Sequence, residues 1–323
     1  MRRLGILTSG GDAPGMNAAI RAAVRTATTY GLSMAGYVDG YTGFVAGEHQ
    51  DLDDRAVGNI IQRGGTFIGT SRCEAFFDPE VRAESAQRMR TDGIDGLVVI
   101  GGDGSFRGAL ALCDEQGVPV AGVPATIDND VGGTDETIGF DTAVNTAVIA
   151  IDQVRDTSES TGMMFFVEVM GRRSGSLALQ TAVAAGAAGV LVPEAHEEMS
   201  SLAARLRQSI EHGKRSHIIV VAEGDHAGGA FAVAREVGKE LNHAYRVVVL
   251  GHVQRGGRPT ARDRIIASQA GHLAVRALIE GRAGVMIGRQ GGKSVEVPLR
   301  EAIERNGTMP KSDLLTLAQA ISG

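Results

Sequence analysis

Two carboxylates stand two residues apart in Pro124-Ala125-Thr126-Ile127-Asp128-Asn129-Asp130, just after a Val-rich run. A carboxylate within hydrogen-bond reach of a hydroxyl can take its proton as a phosphoryl group arrives. Asp is also a common turn former, and the residues alone leave both readings open. A second candidate, Gly101-Gly102-Asp103-Gly104-Ser105, follows the apolar run Leu97–Ile100. Its glycines allow close backbone approach, Asp103 offers a hard oxygen to Mg²⁺, and Ser105 is expected to cap the next helix and donate to a phosphate. The bland alternative is a structural turn. A third is Thr8-Ser9-Gly10-Gly11-Asp12-Ala13-Pro14-Gly15-Met16-Asn17, at a strand-to-helix junction. There, backbone N–H groups and a helix N-terminus can cradle an anion, or the segment can simply be a tight turn. It matches neither G-x-G-x-x-G nor the Walker loop, which removes the dinucleotide-binding dehydrogenase reading of a glycine-rich chain.

Stepping outward, these segments need strands to end on. Leu4–Leu7, Met34–Val38, Gly96–Ile100, Val118–Val123, Phe165–Val169, Gly189–Val192, His217–Ala222 and Val247–Leu250 read as strands, being short, rich in Val and Ile, and flanked by Gly, Pro or Asp. Helical patterns lie at Asn17–Thr28, Glu80–Thr91, Ser105–Glu115, Thr142–Val154, Leu177–Ala185, Leu202–His212, Ala230–Leu241 and Asp263–Leu278. Alternation of this kind predicts parallel α/β architecture with ligands at the carboxyl ends of the strands. Gly10–Gly15, Gly101–Ser105 and Thr126–Asp130 are therefore expected to meet in one crevice.

Composition narrows the partners. The 323 residues carry a formal net charge of −6, with no basic run and no Trp, which argues against nucleic acid. Cys73 and Cys113 have no metal-type spacing and fit a reducing, cytoplasmic setting. The apolar start breaks at Ser9–Asp12, too early for a signal peptide, and no run is long enough to span a membrane. The 45 glycines suggest many turns or close ligand approaches.

Taken together, the blocks T-S-G-G-D-A-P-G-M-N, R-G-G-T, G-G-D-G-S, T-I-D-N-D, V-E-V-M-G-R and L-G-H-x-Q-R-G-G, in that order, resemble the bacterial ATP-dependent 6-phosphofructokinases from Leu4 to about Ile303. The resemblance implies two three-layer α/β/α domains with mostly parallel sheets and a cleft between them. The larger, residues 1–139 plus 253–304, is expected to hold the nucleotide; the smaller, 140–252 plus 305–323, is expected to hold the sugar phosphate. It implies transfer of the γ-phosphoryl group of ATP, with Mg²⁺, to the 1-hydroxyl of fructose 6-phosphate. Asp128 matches the family's base, Thr126 and Asp130 its neighbours at the phosphates, and Asp103 the Mg²⁺-linked carboxylate. Gly11, Arg72 and Arg172 match groups at the transferring phosphoryl. Tyr41, Cys73, Arg82, Gly102, Gly104 and Ser105 match nucleotide contacts. Met170, Gly171, Glu223, His252 and Arg255 match sugar contacts, and Arg246 one supplied by a neighbouring subunit, which implies a homotetramer with shared sites. Gly104 and Ala125 stand where pyrophosphate-dependent relatives carry Asp and Lys, so ATP is the expected donor.

Two departures follow from the same resemblance. Met163 stands where a second inter-subunit arginine is usual, implying weaker fructose 6-phosphate binding or a shifted sugar preference, with a kinase for another sugar phosphate or a non-catalytic regulatory subunit as the alternatives. Arg21, Arg25, Arg155, Lys214 and Arg215 match a basic pocket for nucleotide and phosphoenolpyruvate effectors, but Asp54 and Ala188 replace an expected arginine and glutamate, leaving regulation open.

Overall fold

The protein is described by a computed structural model covering residues 1–195, 197–224, 228–305 and 312–321. In chain order the strands are β1 Arg3–Ser9, β2 Ser33–Tyr37, β3 His49–Leu52, β4 Gly96–Gly101, β5 Val120–Pro124, β6 Met164–Val169, β7 Gly189–Leu191, β8 His217–Ala222, β9 Tyr245–Val249, β10 Val285–Gln290 and β11 Lys293–Pro298. The helices are α1 Met16–Thr29, α2 Tyr41–Ala46, α3 Pro79–Thr91, α4 Asp103–Gln116, α5 Phe140–Thr161, α6 Ser176–Ala185, α7 Met199–Glu211, α8 Gly229–Leu241, α9 Ala261–Ile279, α10 Leu299–Glu304 and α11 Ser312–Ile321.

Two compact units result. Unit 1 comprises Met1–Thr126, Asp130–Thr142 and Arg255–Thr308; unit 2 comprises Ile127–Asn129, Ala143–Gln254 and Met309–Gly323. The sheet of unit 1 has the order β11-β10-β5-β4-β1-β2-β3, parallel except at its two outer strands. Period-2 alternation separates its faces. Leu7, Leu97 and Val99 enter the core shared with Phe44, Phe76, Phe106 and Leu112. Helix α1 packs on α9, while α3 and α10 pack on α4. The approach of α9 to α1 needs glycine: a Cβ at Gly271 would collide with the Ala19 carbonyl.

Unit 2 is built on the all-parallel sheet β7-β8-β6-β9. Phe166, Leu191, Ile219 and Val221 pack with Leu202 and Leu206 of α7 and Val233 and Val237 of α8. The helices α6 and α11 pack on each other.

The expected strands and helices are present, with shifted ends. Helix α5 begins two residues earlier and ends seven later than Thr142–Val154, because its polar tail Asp156–Thr161 stays helical without an apolar stripe. The hairpin β10–β11 was not among the expected strands. Its signal is Gly291-Gly292, both at positive φ (54° and 81°), joining the paired Gln290 and Lys293. No described helix is long and apolar enough to cross a membrane.

Candidate functional site

In unit 1, β1, β4 and β5 are adjacent and parallel, so the loops after Ser9, Gly101 and Pro124 emerge from one edge of the sheet. The first loop is fixed from both sides. Asn17, fully buried, donates its amide to the carbonyls of Arg63 and Gly64 (3.2 Å each) and accepts from the Phe67 N–H at 2.9 Å. Thr70 donates to the Gly10 carbonyl at 2.9 Å, and Thr8 to that of Gly69 at 2.7 Å. These bonds tie the segment leading to Arg72 against the first loop. Arg72 itself is exposed. Arg255 donates to the Asp12 carbonyl at 3.3 Å, and a Cβ at Gly11 would run into its guanidinium.

The loop after β4 opens α4 with Gly102 as the N-terminal boundary and no side-chain cap. The expectation that Ser105 caps this helix is corrected. Its buried hydroxyl donates to the Ser9 carbonyl at 2.9 Å and so locks the ends of β1 and β4 together. The first N–H groups of α4 thus lack a side-chain acceptor, an arrangement suited to an anion. Asp103 Oδ2 accepts from the Arg107 Nε–H at 2.8 Å, while its buried Oδ1 has no hydrogen-bond partner. A Cβ at Gly104 would meet no atom within 4 Å, and one at Gly102 would come within 3.8 Å of Thr126.

Tyr41 and Arg82 have more specific structural tasks than expected. The ring of Tyr41 stacks on Phe76 at 4.1 Å and its hydroxyl donates to the Ser105 carbonyl at 2.8 Å; burial pushes its phenol pKa up. Arg82 holds Glu115 through Nε and Nη2 (2.7 and 2.6 Å) and the carbonyls of Phe76 and Phe77 through Nη1 (2.8 Å each). The Arg82 bond holds the Glu115 carboxyl below its ordinary range. Four of the five N–H donors of this guanidinium are therefore occupied. Cys73, a free thiol, is half-buried beside the same aromatic cluster.

Asp263 was missed as a positioning group. It is fully buried at the start of α9 and accepts from the N–H of Gly139 (2.9 Å), the N–H of Thr142 (2.8 Å) and the Thr142 hydroxyl. Burial pushes its pKa up to about 6, against the pull of those donors. Its signal was Thr260, three residues earlier, which caps α9 by accepting from the Asp263 N–H.

In unit 2, Met170–Arg172, Glu223 and His252 all lie beyond the carboxyl ends of neighbouring parallel strands, β6, β8 and β9. Met170 is buried; His252 and Arg172 are exposed. Arg172 sits at φ 55° after Gly171 at φ 143°. Its N–H donates to Glu223 Oε1 at 2.8 Å. Asp128 is 3% exposed and belongs to unit 2. Thr126 and Asp130, its flanking expected partners, belong to unit 1. Arg246 lies at the opposite end of β9, paired in register with Phe165. Five residues of strand separate Phe165 from Met170, roughly 17 Å. Met163, preceding β6, lies at that same far end, its carbonyl accepting from Ser158 at 2.8 Å.

Of the expected effector residues, Arg21 and Arg25 are one turn apart on α1 in unit 1. Arg155, Lys214 and Arg215 are in unit 2. Arg155 donates to the Ala185 and Gly186 carbonyls, which close α6.

This is an α/β protein with glycine-rich, acid-bearing loops ending three neighbouring parallel strands. Residues 3–278 match the family model described as Phosphofructokinase. The chain belongs to the phosphofructokinase family. It is 51% identical over 322 residues to ATP-dependent 6-phosphofructokinase 1 of Thermus thermophilus and 48% identical over 322 residues to ATP-dependent 6-phosphofructokinase of Bacillus thuringiensis, covering 100% of both chains in each case. Its fold matches the structure of phosphofructokinase from Saccharomyces cerevisiae with a TM-score of 0.88 at 34% identity. That match covers 99% of this chain but 47% of the longer yeast one.

Proposed function

We propose that this chain is an ATP-dependent 6-phosphofructokinase, which moves the γ-phosphoryl group of ATP to the 1-hydroxyl of fructose 6-phosphate, giving fructose 1,6-bisphosphate and ADP. This is the committed step of glycolysis in the cytoplasm. The observation that carries the reading is the clear space beside Gly104 at the uncapped start of α4. An α-phosphate and nucleoside need that room, and an aspartate there would fill and repel it.

Asp128 takes the proton of the 1-hydroxyl as its oxygen attacks the γ-phosphorus in line. Arg72, Arg172 and the Gly11 N–H face the charge that spreads over the transferred oxygens. Glu223 accepts from sugar hydroxyls, while His252 and Arg255 suit the 6-phosphate. Mg²⁺ fits Asp103, whose Oδ1 is buried without a hydrogen-bond partner. Among the described residues no group of three or more His, Cys, Asp or Glu side chains makes a closed metal cage, as suits an ion that keeps phosphate oxygens and waters as ligands. Bound there, it would neutralise phosphate charge.

Arg246 lies a strand length from the Met170 end of its own sheet. It serves a second copy of the chain, and the enzyme is a homotetramer with shared sites. Donor choice is tested by turnover with ATP or pyrophosphate at saturating fructose 6-phosphate. ATP should support turnover, and Gly104→Asp should abolish it; activity with pyrophosphate alone would overturn the reading. One residue favours a second reading, a kinase for another sugar phosphate: Met163 leaves that site one cation short. A panel of sugar phosphates at equal concentration separates the two.

A further inference from the structure

Arg172 is held in the left-handed region, φ 55°, which is strained for a non-glycine residue. Such a conformation persists only if its surroundings fix it. Three side-chain oxygens from three separate segments do so. Gln254 Oε1 accepts the Met170 N–H at 2.9 Å, Glu223 Oε1 the Arg172 N–H at 2.8 Å, and Glu194 Oε1 the Gly175 N–H at 2.8 Å. A turn from the Ser174 N–H to the Gly171 carbonyl, 2.8 Å, closes the loop. Gly175 bounds the N-terminus of α6, so the Glu194 carboxylate also meets the positive end of that helix.

Glu223 has a sugar-binding task in the proposed function. Glu194 and Gln254 have none, and both are expensive to bury. Glu194 Oε2 and Gln254 Nε2 are buried without a hydrogen-bond partner, and Gln254 is fully inaccessible. Leaving such atoms unpaired is destabilising. A Cβ at residue 175 would come within 2.5 Å of Glu194 Oε2 and of Val192 Cβ, so the acid and the loop are closely fitted.

We propose that Glu194 and Gln254 are positioning residues for phosphoryl transfer, clamping the two ends of the Met170–Gly175 loop so that Arg172 meets the transferring group. This rests on the reading of Arg172 given above. A displacement of the order of 1 Å at a reacting centre can lower the rate about 100-fold, so loss of either clamp should act on kcat.

The test is a double-mutant cycle on the full-length enzyme, assayed with ATP and fructose 6-phosphate. Glu194→Ala should lower kcat about 10- to 100-fold with both KM values within about twofold. Glu194→Gln, which keeps the acceptor, should recover most of it. In combination with Arg172→Ala, Glu194→Ala should cost little more, since the arginine it positions is gone. Gln254→Met, close in volume, is judged by the same cycle and serves if Glu194→Ala does not fold. Normal kcat in Glu194→Ala beside a crippled Arg172→Ala would overturn the inference alone, as would additive losses in both cycles. A fully active Arg172→Ala would overturn the reading beneath it and the inference together.

Discussion

At the scale of single residues, the proposed chemistry places the acceptor proton on Asp128 and leaves one cation absent at Met163. Asp128→Ser keeps a small polar group in a nearly buried position but removes the base. General-base catalysis contributes about 10²- to 10⁴-fold, so kcat should fall by that order while fluorescence-monitored ATP binding persists. Met163→Arg should act oppositely. A charge-assisted hydrogen bond is worth about 1.5–3 kcal/mol, so the half-saturating concentration of fructose 6-phosphate should drop about 10- to 150-fold. An unchanged half-saturation would show that the position does not bear on the sugar phosphate. Asp128 was singled out because it sits in a short motif, and Met163 because it departs from the pattern of the family the chain resembles. The tasks of Ser105, Tyr41 and Arg82 were less legible, since the partners they hold (Ser9, Phe76, Glu115) become neighbours only through folding.

At the scale of elements, strands ending in Gly and Asp were readable because Val and Ile runs of four to seven residues have few other fates. The β10–β11 hairpin was equally marked by Gly-Gly, but its outer strand alternates polar and apolar residues on an edge and lacks the dense apolar run of the buried strands. The junction at Asp263 depends on buried geometry and gave only a capping hint. It leads to a prediction about pH. The folded-state pKa, about 6, is raised above the ordinary 3.8 by burial, so the folded protein binds the extra proton. The stabilisation belongs to the protonated form: it is complete below about pH 4 and is lost as pH rises through about 6. A shift of two pKa units corresponds to about 3 kcal/mol, an upper estimate. Measured as melting temperature, wild type relative to Asp263→Asn should lose stability across pH 4–6.5. A pH-independent difference between the two would contradict the assignment.

At the scale of the whole molecule, Arg246 cannot serve the ligand end of its own sheet, because β9 carries it to the other end. The proposed sharing of sites between subunits has a measurable consequence. Subunits carrying Arg246→Ala and subunits carrying His252→Ala should each be nearly inactive alone. Co-refolded, they should form mixed oligomers in which some sites receive an intact residue from each parent, and activity should return. If the mixture stays as inactive as its parents while sedimentation shows hybrid oligomers, Arg246 acts within its own chain or not at all.

Strand order has a further bearing on how the protein is made. In unit 1, β10 pairs with β5, yet all of Ala143–Gln254 is synthesised between them. About 160 residues, roughly 10–30 s of elongation at 5–20 residues per second, separate the two partners on the ribosome. Throughout that interval the outer side of β5 waits as an open hydrogen-bonding edge while the inserted segment has time to fold. A nascent chain paused there is at the stage most exposed to wrong pairing, and the protection chaperones give should concentrate on it.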